Sequence, residues 1–186
     1  MKKLVVVALS LTVASGAFAA AFQASLTPDI ALQDRETDIK GVSVGLWNEN
    51  PSETFQWQFG FVNGSTGDSV GVQSWFPFPL PTLFNYAENY TGVQLGIVNY
   101  ASGDLVGLQW GVVNHAANLT GVQLGLVNCS EMATGFQWGF VNYTKSARNL
   151  FQLGLVNIIQ DNEWFSDFPN DLAKGFVFVN WSFGDE

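Results

Sequence analysis

Gly92-Val93-Gln94-Leu95-Gly96-Ile97-Val98-Asn99 is an octet that this chain repeats. It returns as Gly107 to Asn114 (GLQWGVVN), Gly121 to Asn128 (GVQLGLVN) and Gly135 to Asn142 (GFQWGFVN). Leu150 to Asn157 (LFQLGLVN) keeps all but the first glycine. Weaker copies stand earlier, at Gly41 to Asn48 (GVSVGLWN) and Gln56 to Asn63 (QWQFGFVN). Gly71-Val72-Gln73 opens another, which breaks down in the proline-rich WFPFPLP. The closing asparagines at 99, 114, 128, 142 and 157 lie 14 or 15 residues apart, the fixed period of a repeat architecture.

Each octet alternates with period two, which means strand. One face carries Gly92, Gln94, Gly96 and Val98; the other carries Val93, Leu95 and Ile97. A helix is excluded, because two glycines in eight residues would cost it roughly 2 kcal/mol relative to alanine. Phe22 to Leu26 and Gly175 to Phe183 read as a first and a last strand, which brings the expected total to about ten. No Asp, Glu, Lys or Arg lies inside an octet. Asp104, Glu131, Lys145 and Arg148 fall in the connections, beside the turn formers Gly103, Asn118 and Ser146. Strands joined by short polar connections describe an antiparallel meander.

Two architectures fit such a period. The first is an up-and-down barrel of about ten antiparallel strands, and this is the expected fold. The alternative is a β-solenoid, in which each repeat is one coil and like residues stack about 4.8 Å apart. The apolar face varies freely in size: Val93, Leu108, Val122, Phe136 and Phe151 share one position, and Leu95, Trp110, Leu124, Trp138 and Leu153 share the next. Hydrocarbon tolerates that variation, whereas a thin packed core does not, so the pattern favours a lipid-facing barrel. Two features point the other way. Three outward residues per strand span roughly 13–20 Å, short of the roughly 25 Å apolar band of a membrane barrel. The closing asparagines also share the outward parity, and asparagine ladders at corners suit a solenoid.

The N-terminus reads as an export signal. Lys2 and Lys3 precede the apolar run Leu4 to Ala14, and Ala17-Phe18-Ala19 supplies a small-x-small cleavage site. Residues 1–19 are therefore expected to be a signal peptide, and residues 20–186 a single all-β repeat domain with a divergent insertion at 74–84. With 16 acidic and 7 basic residues the chain is strongly acidic. It lacks the basic stripe that nucleic-acid binding needs. Cys129 is the only cysteine and His115 the only histidine, so neither an internal disulfide nor a Cys/His metal cluster is available. No cofactor is expected.

Candidate sites are few. Gln94, Gln109, Gln123, Gln137 and Gln152, with Asn99, Asn114, Asn128, Asn142 and Asn157, are the repeat positions, and they read as structural rows whose amides satisfy one another. His115 has no nucleophile or carboxylate partner in the pattern, and it reads, like Cys129, as a variable strand-end residue. Asp161, Glu163, Asp167 and Asp171 lack the glycine spacing of a calcium loop and read as a solvated loop. Trp75 to Phe84 is an apolar patch between polar turns, with some character of a contact surface.

The octets resemble those of the bacterial surface-repeat-containing proteins of Leptospira and other Gram-negative groups. The flanks share the likeness: LTPDIAL at Leu26 to Leu32, GVSVGLWNEN at Gly41 to Asn50, and FVNWSF at Phe178 to Phe183. The resemblance implies an exported, surface-associated protein and carries no activity with it. The expected function is a non-enzymatic outer-membrane or cell-surface structural protein in contact with membrane lipid, a small filled barrel without a wide pore. The alternative is a secreted or surface-attached solenoid acting as a binding or spacer module.

Overall fold

Identical octets stack on identical octets, in parallel and in register. Gly92 pairs with Gly107, Gln94 with Gln109, Asn99 with Asn114 and Gln123 with Gln137. The computed structural model, which describes residues 21–51, 53, 55–74 and 82–184, is all-β with no helix. Its strands are β1 (Phe22–Thr27), β2 (Ile30–Ala31), β3 (Val42–Glu49), β4 (Gln56–Ser74), β5 (Phe84–Leu95), β6 (Val98–Trp110), β7 (Val113–Leu124), β8 (Val127–Ile159) and β9 (Gly175–Ser182). They form one sheet in the order β2-β1-β3-β4-β5-β6-β7-β8-β9. Every pairing from β1 to β8 along the stack is parallel. Only the two ends reverse: β2 lies antiparallel on β1, and β9 lies antiparallel on β8.

The fold is therefore a β-solenoid, and the expectation of an antiparallel barrel is corrected. Parallel neighbours in register place each residue over its own copy one coil away. In an antiparallel meander Gln94 would instead face a different position of the next strand. The Gln–Gly side of each octet turns inward and the size-variable apolar side turns outward. The barrel would have put the same two sides in and out, so the free variation of the apolar side does not separate the two folds. The expected count of about ten strands becomes nine among the described residues, because β4 and β8 run continuously around coil corners.

Three corners shape a coil. The first is the bend at Gly96–Ile97, where the strand is interrupted. This bend breaks the alternation, so that Asn99, on the outward parity of Val93, ends up wholly buried. The second corner carries the polar connection. Here the 15-residue coils take up their extra residue as a register shift between Ala101 and Asp104, around Gly103. The third corner lies at the leading glycine. Gly121 has φ +144, and a Cβ there would stand 2.0 Å from the Gly107 carbonyl oxygen. Only glycine lets the coils approach so closely.

The divergent insertion also narrows. Ser74 still belongs to β4, Phe84 opens β5, and Thr82 takes the place of the bend glycine, accepting from Ile97 N–H at 2.7 Å. Residues 75–81 lie outside the described residues, as does the expected signal peptide. Between the corners a narrow apolar column of Ala101, Leu105, Ala116, Leu119 and Ala133 fills the rest of the interior.

Candidate functional site

The repeat glutamines and asparagines make two continuous ladders inside the coil. Gln94, Gln109, Gln123, Gln137 and Gln152 are all fully buried. Each donates from Nε2 to the Oε1 of the preceding coil at 2.7–2.8 Å, and the row extends back through Gln73 to Gln58. Asn99, Asn114, Asn128, Asn142 and Asn157 are equally buried. Their row begins at Asn48 and passes through Asn63 and Asn85, with most steps at 2.8 Å.

The two rows point in opposite directions. Glutamine amides donate toward the first coil and asparagine amides toward the last. Backbone carbonyls fix these orientations: Asn114 Nδ2 also donates to Leu124 O at 2.9 Å, and Gln109 Nε2 to His115 O at 2.9 Å. A flipped amide would put two oxygens face to face. The rows are thus consumed within the fold and present nothing to a ligand. Gln152, at the end of its row, keeps an Oε1 without a partner because no further glutamine follows.

The remaining sequence candidates are dispersed. His115 stacks on Tyr100 with ring centroids 5.0 Å apart. Burial lowers its pKa from the ordinary value, and Glu131 opposes that shift only in part. Its register neighbour is Cys129. Burial raises that thiol's pKa, which keeps it protonated and poorly nucleophilic. Among the described residues, no three of the His, Cys, Asp and Glu side chains, the 161–171 acids included, gather as a metal site would require.

Sequence reasoning missed two polar clusters. At the first coils, the nearly buried Glu49 accepts from Arg35 and from the Tyr86 hydroxyl, which in turn accepts from Trp47 Nε1 at 3.0 Å. A small apolar groove lined by Trp47, Val62, Phe84, Tyr86 and Tyr100 opens beside it. Along the polar corner, Asn89 donates to Asp68 and Asn118 to Asp104, both at 2.8 Å. The alternation of Asp68, Asn89, Asp104 and Asn118 down one row was a readable signal, since like acids stacked directly would repel.

The candidate functional surface is the outside. Two outer faces meet at the Gly96–Ile97 corner, and both are apolar. Val112, Leu126, Phe140 and Leu155 follow one another down the corner itself, 43–57% exposed. Trp110 and Trp138 stand on one flank at 61% and 57%. Those two side chains alone expose on the order of 200–300 Å², so with the corner row the surface exceeds the usual patch of a monomer, about 300–600 Å². Comparison with protein-family models, with curated proteins and with solved structures returned no match to this chain.

Proposed function

We propose that the chain is an exported, non-enzymatic β-solenoid that serves as a binding or spacer module at the bacterial cell surface. The observation that carries this reading is the inverted distribution of polarity. The convergent amides, which could have formed a site, are locked in ladders inside, while the outside offers a long, regular, apolar surface. Such a body suits contact and extension better than catalysis. Stacked coils also give length and stiffness cheaply, because each coil needs only its neighbours. The apolar run after Lys2 and Lys3, and the likeness of the octets to surface-repeat proteins of Gram-negative bacteria, support export and a surface or outer-membrane location. Expression of the full chain in a Gram-negative host, followed by fractionation and N-terminal sequencing, tests the reading. A mature protein beginning just after Ala19 in an envelope fraction is expected. An uncleaved chain in the cytoplasm would overturn it.

A further inference from the structure

The apolar wedge has a defined tip, two borders and a backbone with its hydrogen bonds closed, and together these name its occupant. At the tip, coil-to-coil bonds run unbroken: Val112 N donates to Ile97 O at 2.8 Å, Leu126 N to Val112 O at 3.0 Å, and Val141 N to Leu126 O at 2.9 Å. All of these bonds lie along the solenoid axis, so the wedge shows no open strand edge sideways. A backbone can enter hydrocarbon only under that condition.

One border of the wedge is a row of amphipathic rings, Tyr86, Tyr100, His115 and Tyr143, aligned coil over coil with Cys129 standing between the last two. Beyond them lie polar groups. The Tyr143 hydroxyl donates to Gln160 Oε1 at 2.6 Å, and Glu88, Glu131 and Lys145 are exposed. The other border is the row Thr91, Val106, Thr120 and Thr134, polar at every coil but that of Val106. Rings with an apolar body and a polar tip sit at the headgroup level of a bilayer. Val112, Leu126, Phe140 and Leu155 change size from coil to coil along the tip, which fluid hydrocarbon accommodates more readily than a close-packed protein surface.

We propose that the wedge seats on a zwitterionic phospholipid bilayer. The solenoid axis lies in the membrane plane, the Val112–Leu155 corner enters the acyl region, and the tyrosine stripe rests among the headgroups. The wedge is uncharged while the chain carries −9 overall, which suits a neutral surface better than an anionic one. Immersion of roughly 5–10 Å is typical of elements that lie in the interface. This inference deepens the surface-module reading and rests on it. Vesicle binding is measured on purified protein and location on fractionated cells, so either can fail alone.

The test is flotation of the mature protein, without the apolar run Leu4 to Ala14 that would bind lipid by itself, with phosphatidylcholine vesicles. The chain is expected to float at low and at high salt, and acyl-brominated lipid is expected to quench its tryptophan emission. The double variant Leu126→Ser, Phe140→Ser should partition roughly tenfold more weakly, while Glu131→Ser on the polar corner should float unchanged. Quenching in the unmodified chain keeps the proposal testable if the double variant does not fold. A chain left at the bottom of the gradient, or emission untouched by bromine, would overturn it. So would a lipid-free dimer dissolved by the same two substitutions, which would make a second copy the occupant.

Discussion

Gln123 Nε2 donates to Gln109 Oε1 at 2.8 Å, from one coil into the coil before it, with both side chains fully buried. Gln137 Nε2 reaches Gln123 Oε1 at the same distance. Gln123 is thus a middle rung, with both ends of its amide engaged. An amide buried in this way contributes modestly when paired and costs much more when a neighbour is stranded.

Gln123→Leu should therefore destabilise the fold by about 2–4 kcal/mol, since it strands Gln109 Oε1 and removes an acceptor from Gln137. Gln152→Leu should cost about half as much. Its own Oε1 is already without a partner, and Gln137 Oε1 keeps the Thr144 hydroxyl at 3.0 Å. Urea unfolding of the two variants checks the difference. Equal losses would mean that the rungs do not act as a ladder.

Gly121→Ala should be more severe, at more than about 3 kcal/mol. The new Cβ would stand 2.0 Å from the Gly107 oxygen at a φ of +144. Gly67 also has a positive φ, of +66, but open space around it, and Gly67→Ala should cost only about 1–2 kcal/mol. Thermal melts of this pair separate steric closure of the coil from backbone preference alone.

His115 supplies a pH test. Its folded pKa lies below the ordinary 6.5, mainly because the ring is partly buried against Tyr100. Below about 6.5 the unfolded chain binds the proton more readily than the folded one. Stability from neutral His115 is therefore present above that pH and is lost as pH falls through the folded pKa. An NMR titration should find the midpoint below 6.5, and His115→Phe, which keeps the stacking, should flatten the stability profile around pH 6. A midpoint above 6.5 would contradict the burial argument.

The caps lead to a fourth expectation. β9 covers the last coil in reverse, pairing Gln152 with Asn180 and Phe151 with Trp181. A chain ending at Lys174 would expose that edge as an unpaired template. Light scattering should show it associating at concentrations where the full chain does not. A dispersed, folded truncation would show that β9 is dispensable as a cap.

Much of the fold was legible in the octets. Val93, Leu95 and Ile97 against Gln94 and Gly96 give the strand and its two faces, and Asp104 and Lys145 mark the polar corner. Strand direction was not legible from period alone, because 14 or 15 residues can run out and back or once around. The decisive signal was the identity of the rows. Glutamine at 94, 109, 123, 137 and 152 profits from being identical only where like lies over like, which requires parallel coils. Asn99 and its copies pointed rightly to a solenoid ladder, but their burial was not legible, because the bend at Gly96–Ile97 resets the alternation and no count by twos can anticipate a bend. Of the candidate surface, the apolar residues were readable. Their meeting at one corner, and the tyrosine stripe beside it, depend on the closure of the coil.

The opposed directions of the two amide rows bear on how long such a molecule can become. Each added coil contributes one glutamine dipole pointing one way and one asparagine dipole pointing the other, so the rows build up little field at either end. Lengthening the stack therefore creates no growing charge for the caps to neutralise. Copy number is left free to drift by duplication or loss of whole coils, and evolution can set the reach of the protein one coil at a time without redesigning its ends.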